Sequence, residues 1–420
     1  MPEHPNDRPA PDLLRGLLQP RLSRRGFLQA GGLTALGAAL AACGVSGADK
    51  GPTGSAASKA AKSFWEQQKK TGSFVFANWP LYIDVGAKPT DHPSLDLFTK
   101  RTGIEVSYKE VVQDPGSFFG KIQPELGAGQ GTGYDLVVIT NGLYLDKMKE
   151  LNYLIPLDQS RMTNFYANAS DLVKNPSYDP GNKYTMAWQS GMTGIGYDPA
   201  KVGHKISSWQ DLMDPKLKSK IGMFGDNQDL PSIGLLATGV APEHSTEDDW
   251  HKAADWLKRQ APLVRKYYDQ SYIDSLSRGD LWASMAYSGD IYQANLGGGK
   301  LEFVIPDEGA MLWTDDMMIP KYAEHPLDAM IYMDFVYQPD IAAMLAEYIN
   351  YITPVNGVQP VIERDAAKAT GSDRADLKYL AKSPLIFPSS SDFQKLHNYR
   401  VLSTDEEKTW NDIFEPIYQG

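Results

Sequence analysis

One cysteine in 420 residues rules out a disulfide framework and any cysteine-based metal cluster. A basic excess is missing too: Lys and Arg number 41 against 52 Asp and Glu, for a formal net charge of −11. A nucleic-acid partner needs a basic footprint and is therefore not expected. No apolar run has the length and composition of a membrane span. There is no Gly-x-Ser-x-Gly elbow, no phosphate loop and no dinucleotide fingerprint on a strand-to-helix turn. Metal-site spacing is also lacking. His244 and His251 stand seven apart with carboxylates between them, which is the pattern of a solvated surface, and no metal or other cofactor is expected. Adjacent tyrosines such as Tyr267-Tyr268 can ligate ferric iron, but only with His and carboxylate partners that the sequence does not place. What remains is ordinary globular composition, 42% hydrophobic and 22% charged, over a length that suits two or three domains.

The lone cysteine matters through its position. Ser23-Arg24-Arg25-Gly26-Phe27-Leu28-Gln29 precedes a short Ala/Gly/Leu-rich run, and Leu40-Ala41-Ala42-Cys43 closes it. Paired arginines, a short apolar region and small residues before a cleavage point make an export signal. The closing tetrad resembles a bacterial lipobox, with Gln29 standing where twin-arginine signals often carry lysine. Residues 1–42 are thus expected to be a twin-arginine lipoprotein signal peptide, and Cys43 the lipidated first residue of the mature chain. Residues 43–71 are expected to be a flexible tether. The protein would be exported and lipid-anchored at the outer face of the cell membrane without spanning it. Losing five arginines and three acids with the signal takes the formal charge from −11 to −13.

From Ser73 onward, strand and helix patterns alternate. Strands are predicted at 73–77, 104–108 and 134–139, with helices around 94–101, 118–127 and 144–149. The apolar run Leu136-Val137-Val138-Ile139 suits a strand buried on both faces. Alternation of this kind implies an α/β domain with a mostly parallel sheet, whose ligands bind in loops past strand ends. Residues 184–197 read as strand, turn, strand, with glycines at 191, 194 and 196, and a crossing into a second lobe is predicted there. Beyond it come a strand at 221–224, helices near 232–239 and 250–260, a strand at 301–305 and helices at 326–337 and 339–348. The end is polar, with a last amphipathic helix around 406–418.

The stretch Ala310-Met311-Leu312-Trp313-Thr314-Asp315-Asp316-Met317-Met318-Ile319-Pro320 carries the chemistry. As a strand it sends Trp313, Asp315 and Met317 to one face, which joins a ring's negative quadrupole to a carboxylate and so suits an organic cation. The plainer reading is a half-buried strand with Trp313 in the core and both aspartates in water. Other aromatics and carboxylates stand at predicted strand ends: Trp79 with Tyr82, Asp226 with Asp229, Tyr287 with Ser288, and Tyr351. Singly, each has a structural reading: Trp79 as core, Asp226 as a helix cap, Tyr287 as strand packing. Together they make an aromatic slot spaced with anions. That combination lets a linear polyamine leave water, its ammonium groups meeting carboxylates and its methylenes meeting rings.

At this point the chain resembles the extracytoplasmic spermidine/putrescine-binding proteins of ABC transporters, a branch of the two-lobed periplasmic binding proteins. The likeness runs from about Ser73 to Tyr351. It is carried by Asn78-Trp79-x-x-Tyr82, by Tyr134-Asp135-Leu136-Val137-Val138 with Asp146-Lys147-Met148 after it, by Trp313-x-Asp315 followed by Ile319-Pro320, and by Asn350-Tyr351-Ile352-Thr353-Pro354. The resemblance implies an α/β fold of two lobes joined by crossing strands, each lobe a mixed, mostly parallel sheet flanked by helices, closing on ligand by a hinge. Lobe 1 would hold 72–188 plus 312–358, and lobe 2 would hold 189–311 plus 359–420. Trp79, Tyr82, Tyr287, Trp313 and Tyr351 would wall the slot, Asp315 would take the amine at one end, Asp226 and Asp229 would take amines on the second lobe, and Thr140 would supply a hydroxyl. The chain departs from the family pattern at Tyr287, where tryptophan is frequent, and at Asp229, where glutamate is. It departs again after Val138, where an aromatic is missing, and at Tyr399-Arg400, which falls where a neutral amide is usual. An arginine inside a cation site would be repulsive.

The function implied is a monomeric, non-enzymatic receptor that captures polyamines and delivers them to ABC transporter permease subunits. A binder of a sugar or a quaternary ammonium compound is the nearest alternative; ferric-iron transport and a secreted hydrolase using paired carboxylates are more distant ones.

Overall fold

The computed structural model describes residues 55–419 apart from Gln270. The signal-peptide and Cys43 expectations, with the first part of the tether, lie outside the described residues. By spatial clustering the chain forms two units. The first holds the residues through Ile139, Lys147–Met186 and Asp316–Ile349; the second holds Thr140–Asp146, Ala187–Asp315 and Asn350–Gly420. Thr140–Asp146, residues 312–315 and residues 350–358, all expected with the first lobe, thus fall in the second unit.

In the first unit the alternating apolar residues of Ser73–Asn78 form strand β1, which pairs in parallel with β2 (Glu105–Glu110) and with β3 (Leu136–Thr140). Phe76 of β1 lies opposite Tyr108 of β2 and Leu136 of β3. The return helices follow sequence signals. Pro93–Thr102 starts on a proline and stops at Gly103, whose φ of 71° suits glycine. Pro115–Gly127 is capped by Asp114, whose carboxylate accepts the Ser117 N–H. The core beneath the sheet is aromatic: Phe98 stands edge-on to Phe74 at 6.2 Å and to Tyr332 of helix Pro326–Phe335 at 5.1 Å.

The tether expectation needs correction. Ser55–Gln67 is a helix, and its Trp65 is buried in the first unit with the indole N–H donating to the Pro156 carbonyl at 2.8 Å. The Ala/Lys/Ser composition of residues 55–62 hides this, because one aromatic anchor near the helix end does the docking.

Strand β4 (Thr185–Tyr197) passes from the first unit into the second and is buried at all thirteen positions. It is one uninterrupted strand with no turn. Within the second unit follow β5 (Ile221–Phe224), β6 (Val264–Tyr268), β7 (Ala283–Tyr287), β8 (Glu302–Val304), β9 (Ala310–Met318) and β10 (Leu396–His397), with β9 running on into the first unit. The sheet is mixed: β5 is parallel to β6 and β7, β4 is antiparallel to β7 and β8, and β10 is parallel to β9. Helix Asp229–Ala237, which follows β5, is buried throughout, and Trp250, Ala253, Ala254 and Leu257 of helix Glu247–Gln260 are buried as their spacing predicts. The polar C-terminal region contains two helices not anticipated, Val358–Lys368 and Gly371–Lys382, before the last one, Thr404–Gln419. No helix among the described residues is long and apolar enough to cross a membrane.

Candidate functional site

The candidate site in the second unit starts where β5 ends. The loop after Phe224 is closed by Asp226, whose Oδ1 accepts the N–H groups of Gln228 at 2.8 Å and Asp229 at 2.6 Å, and this turn launches the helix at Asp229. The capping reading of Asp226 therefore holds alongside any ligand role. Asp229 is buried, 5% exposed. Its Oδ1 accepts the Tyr399 hydroxyl at 2.7 Å and its Oδ2 the Tyr287 hydroxyl at 3.3 Å. Burial pushes the Asp229 carboxyl up to about 7, and the Asp226 charge pushes the same way against the phenol hydrogen bonds. Burial also raises Asp226, opposed by the backbone amides it accepts. The Tyr287 and Tyr399 phenols are raised well above their ordinary range, by burial first and by Asp229 second.

From Tyr287, at the end of β7, a line of rings continues. Tyr287 packs on Phe224 at 4.7 Å and edge-on to Trp313 at 5.7 Å; Trp313 packs edge-on to Tyr351 at 5.1 Å. Tyr351 is held by the segment it sits in, because Ser190 and Ile352 exchange backbone hydrogen bonds. Its hydroxyl donates to Asp290 Oδ1 at 3.0 Å, while the Tyr272 hydroxyl donates to Asp290 Oδ2 at 2.8 Å and accepts the Tyr287 N–H. Two glycines make the line possible. A Cβ at Gly191 would lie 2.2 Å from the Trp313 ring, and one at Gly289 would lie 2.3 Å from the Tyr351 ring. The Trp313 indole N–H is buried and has no acceptor among the described residues.

Two residues beyond Trp313 on β9, Asp315 accepts the Thr140 hydroxyl at 2.6 Å. The backbone beside it is fixed by Asn141, which donates its N–H to the Thr314 carbonyl and accepts the Thr314 N–H on its side chain. Every position of β9 is buried, so the reading that left both aspartates in water fails. Asp316 belongs to the first unit and accepts the Tyr178 hydroxyl at 3.4 Å.

Of the nine ligand residues expected, Asp226, Asp229, Tyr287, Trp313 and Tyr351 form one connected assembly, and Thr140 at the end of β3 pairs with Asp315 on β9, the strand that carries Trp313. Trp79 and Tyr82 lie in the first unit, just past β1, both buried in a turn where the Asn78 side chain accepts the Trp79 N–H and donates to the Tyr82 carbonyl. Arg400 has partners of its own. Its guanidinium pairs with Glu406 at 2.6 Å and lies over the Trp250 ring at 5.6 Å. The sequence reading missed Asp290, Tyr272 and Tyr399. Asp290 had a signal, since it stands three residues past the Tyr287 strand end. Tyr399 had a signal only through the family resemblance, at Tyr399-Arg400, and none in its local pattern, because it follows a two-residue strand. Among the described residues no group of three or more His, Cys, Asp and Glu is placed to hold a metal ion.

Rings and carboxylates at strand ends of a two-lobed α/β fold define a protein that holds a small solute. The chain belongs to the bacterial extracellular solute-binding proteins, whose family pattern it matches over residues 132–382. This is a family of solute-binding proteins and not of enzymes. The chain is 28% identical over 296 residues to the spermidine/putrescine-binding periplasmic protein of Salmonella typhimurium, covering 70% of this chain and 81% of that one. It is 29% identical over 342 residues to a putrescine/agmatine-binding protein of Pseudomonas aeruginosa, covering 77% and 87%. Among solved structures, it superposes on the spermidine/putrescine ABC transporter substrate-binding protein of Streptococcus pneumoniae with a TM-score of 0.69 at 24% identity, over 83% of this chain and 99% of that one. It also superposes on a fructose-6-phosphate-bound periplasmic binding protein of Actinobacillus pleuropneumoniae with a TM-score of 0.55 at 18% identity, over 83% and 97%. One fold serves chemically different solutes, so the solute is argued from the site.

Proposed function

We propose that this protein is an exported receptor for polyamines of the spermidine/putrescine class, lipid-anchored through Cys43, that hands its ligand to the permease of an ABC transporter. The observation that carries the reading is the ring line Tyr287–Trp313–Tyr351 with carboxylates along it: Asp229 hydrogen-bonded to Tyr287, Asp290 to Tyr351, and Asp315 two residues from Trp313. Methylene runs pack on rings, and each ammonium group needs an anion when it leaves water. A sugar needs no such set of buried acids. The relatives' ligands point the same way. In this reading Asp315, positioned by Thr140, takes one terminal amine, Asp226 and Asp229 take another, and Tyr287, Trp313 and Tyr351 pack on the methylenes. Trp79 and Tyr82 are assigned to the ligand on the family resemblance.

Calorimetry with putrescine, spermidine and spermine tests the reading, and at least one is expected to bind. A panel that includes sugars and quaternary ammonium compounds and finds binding only among those would overturn it. Substituting Trp79→Ala tests the first-unit assignment, with weaker amine binding expected.

A further inference from the structure

Asp226 and Asp229 are an unusual pair of anions to offer a ligand, because the protein gives them almost nothing positive. The groups acting on them are backbone amides, hydroxyls and each other. Arg400, next to Tyr399 in the chain, is committed to Glu406 and to the face of Trp250. The other titratable groups facing the pair are phenols: Tyr287 from β7, Tyr399 from the segment after β10, and Tyr418 of the C-terminal helix, which interacts with Asp226. Both Asp229 oxygens already accept a phenol hydroxyl, and Asp226 Oδ1 already accepts two amides. Asp229 is buried and Asp226 half-buried, and among the described residues no cation pairs with either, so desolvation of Asp229 and mutual repulsion oppose the second charge.

We propose that Asp226 and Asp229 share one proton in the free protein and release it to solvent when an ammonium group of the ligand arrives, so that capture at this end exchanges a cation for a proton. The inference rests on the amine-receptor reading for its ligand and on the second unit alone for its proton. The two acids titrate as a unit, so the proton belongs to the pair and not to one residue. Burial of Asp229 places the exchange near neutral pH. Amine affinity then rises with pH through that range and levels off once the pair is fully ionised. Tyr399 acts as a positioning residue: its hydrogen bond favours the ionised carboxylate, so removing it holds the proton more tightly.

Calorimetry with putrescine, whose amines stay charged throughout, in two buffers of different ionisation heat between about pH 6 and about pH 8 reads the exchange directly. The expected result is a buffer-dependent heat of up to one proton released per ligand, fading towards the alkaline end. Tyr399→Phe should move the release to higher pH, and Asp229→Asn, which also removes an anion from the amine site, should bind more weakly, with the remaining heat independent of buffer. Buffer-independent heats for wild-type protein that binds putrescine would overturn the proposal. If no amine binds, the polyamine reading falls. The shared proton is then judged on the free protein by infrared difference spectra across the same pH range. A protonated-carboxyl band lost as pH rises and missing from Asp229→Asn supports it, and absence of the band overturns it.

Discussion

A methyl group at position 191 would sit 2.2 Å from the Trp313 ring, a distance that real Cβ atoms do not tolerate. Gly191→Ala should therefore cost about 1–3 kcal/mol of stability by overpacking. It should also weaken amine binding in calorimetry by displacing the ring. Asp315 makes a sharper test of ligand class. Asp315→Asn keeps the shape and the Thr140 contact but removes the charge, and should cost about 2–5 kcal/mol of affinity for a charged amine; unchanged spermidine binding would remove Asp315 from the site. Asp229 gives a pH prediction with a definite sign. Its folded carboxyl titrates at about 7 against an ordinary 3.8, so between those values the folded state holds more protons than the unfolded chain. Stability therefore falls as pH rises through that window. Melting curves should show wild type losing stability relative to Asp229→Asn from the acid to the neutral side. At this scale Trp313, Asp315, Asp226 and Asp229 were legible because each stands in a short local pattern. The phenols of Tyr272 and Tyr399 were not, because their value lies in hydroxyl contacts across 18 and 170 residues of sequence.

Among elements, β4 shows why pattern reading fails where it does. Glycines at 191, 194 and 196 suggest a turn, yet they lie in an unbroken buried strand, and at 191 the missing side chain admits a ring. A glycine needed for close approach and one needed for a turn look alike in sequence. Strands β5 and β9 were legible because apolar runs bounded by turn residues have few other solutions. Helices Val358–Lys368 and Gly371–Lys382 were missed because each buries only three or four side chains under a mostly polar face. Helix Ser55–Gln67 depends even more on a single residue. Trp65→Ala removes a buried indole and its hydrogen bond to Pro156, and should cost about 3–5 kcal/mol, measured by thermal or denaturant unfolding. Limited proteolysis should then cut within 55–67, while wild type resists there.

The whole molecule carries a formal charge of −11, which raises the local concentration of cations around it. Association with a polyamine should therefore slow as salt is added, more steeply than dissociation quickens, and stopped-flow rates at several ionic strengths check this. The division into two α/β units was legible from alternating strands and helices, but the allocation of residues 140–146 and 350–358 was not, because it depends on contacts far apart in the chain. The docking of Trp65 also has a consequence for where the receptor can roam. Were Cys43 acylated, the leash would end at Ser55, where the helix begins, and not at residue 71. Its fully drawn-out reach shrinks from about 100 Å to about 40 Å. On that condition the protein would patrol only a thin layer above the lipid, and a permease receiving its ligand would have to be met within it.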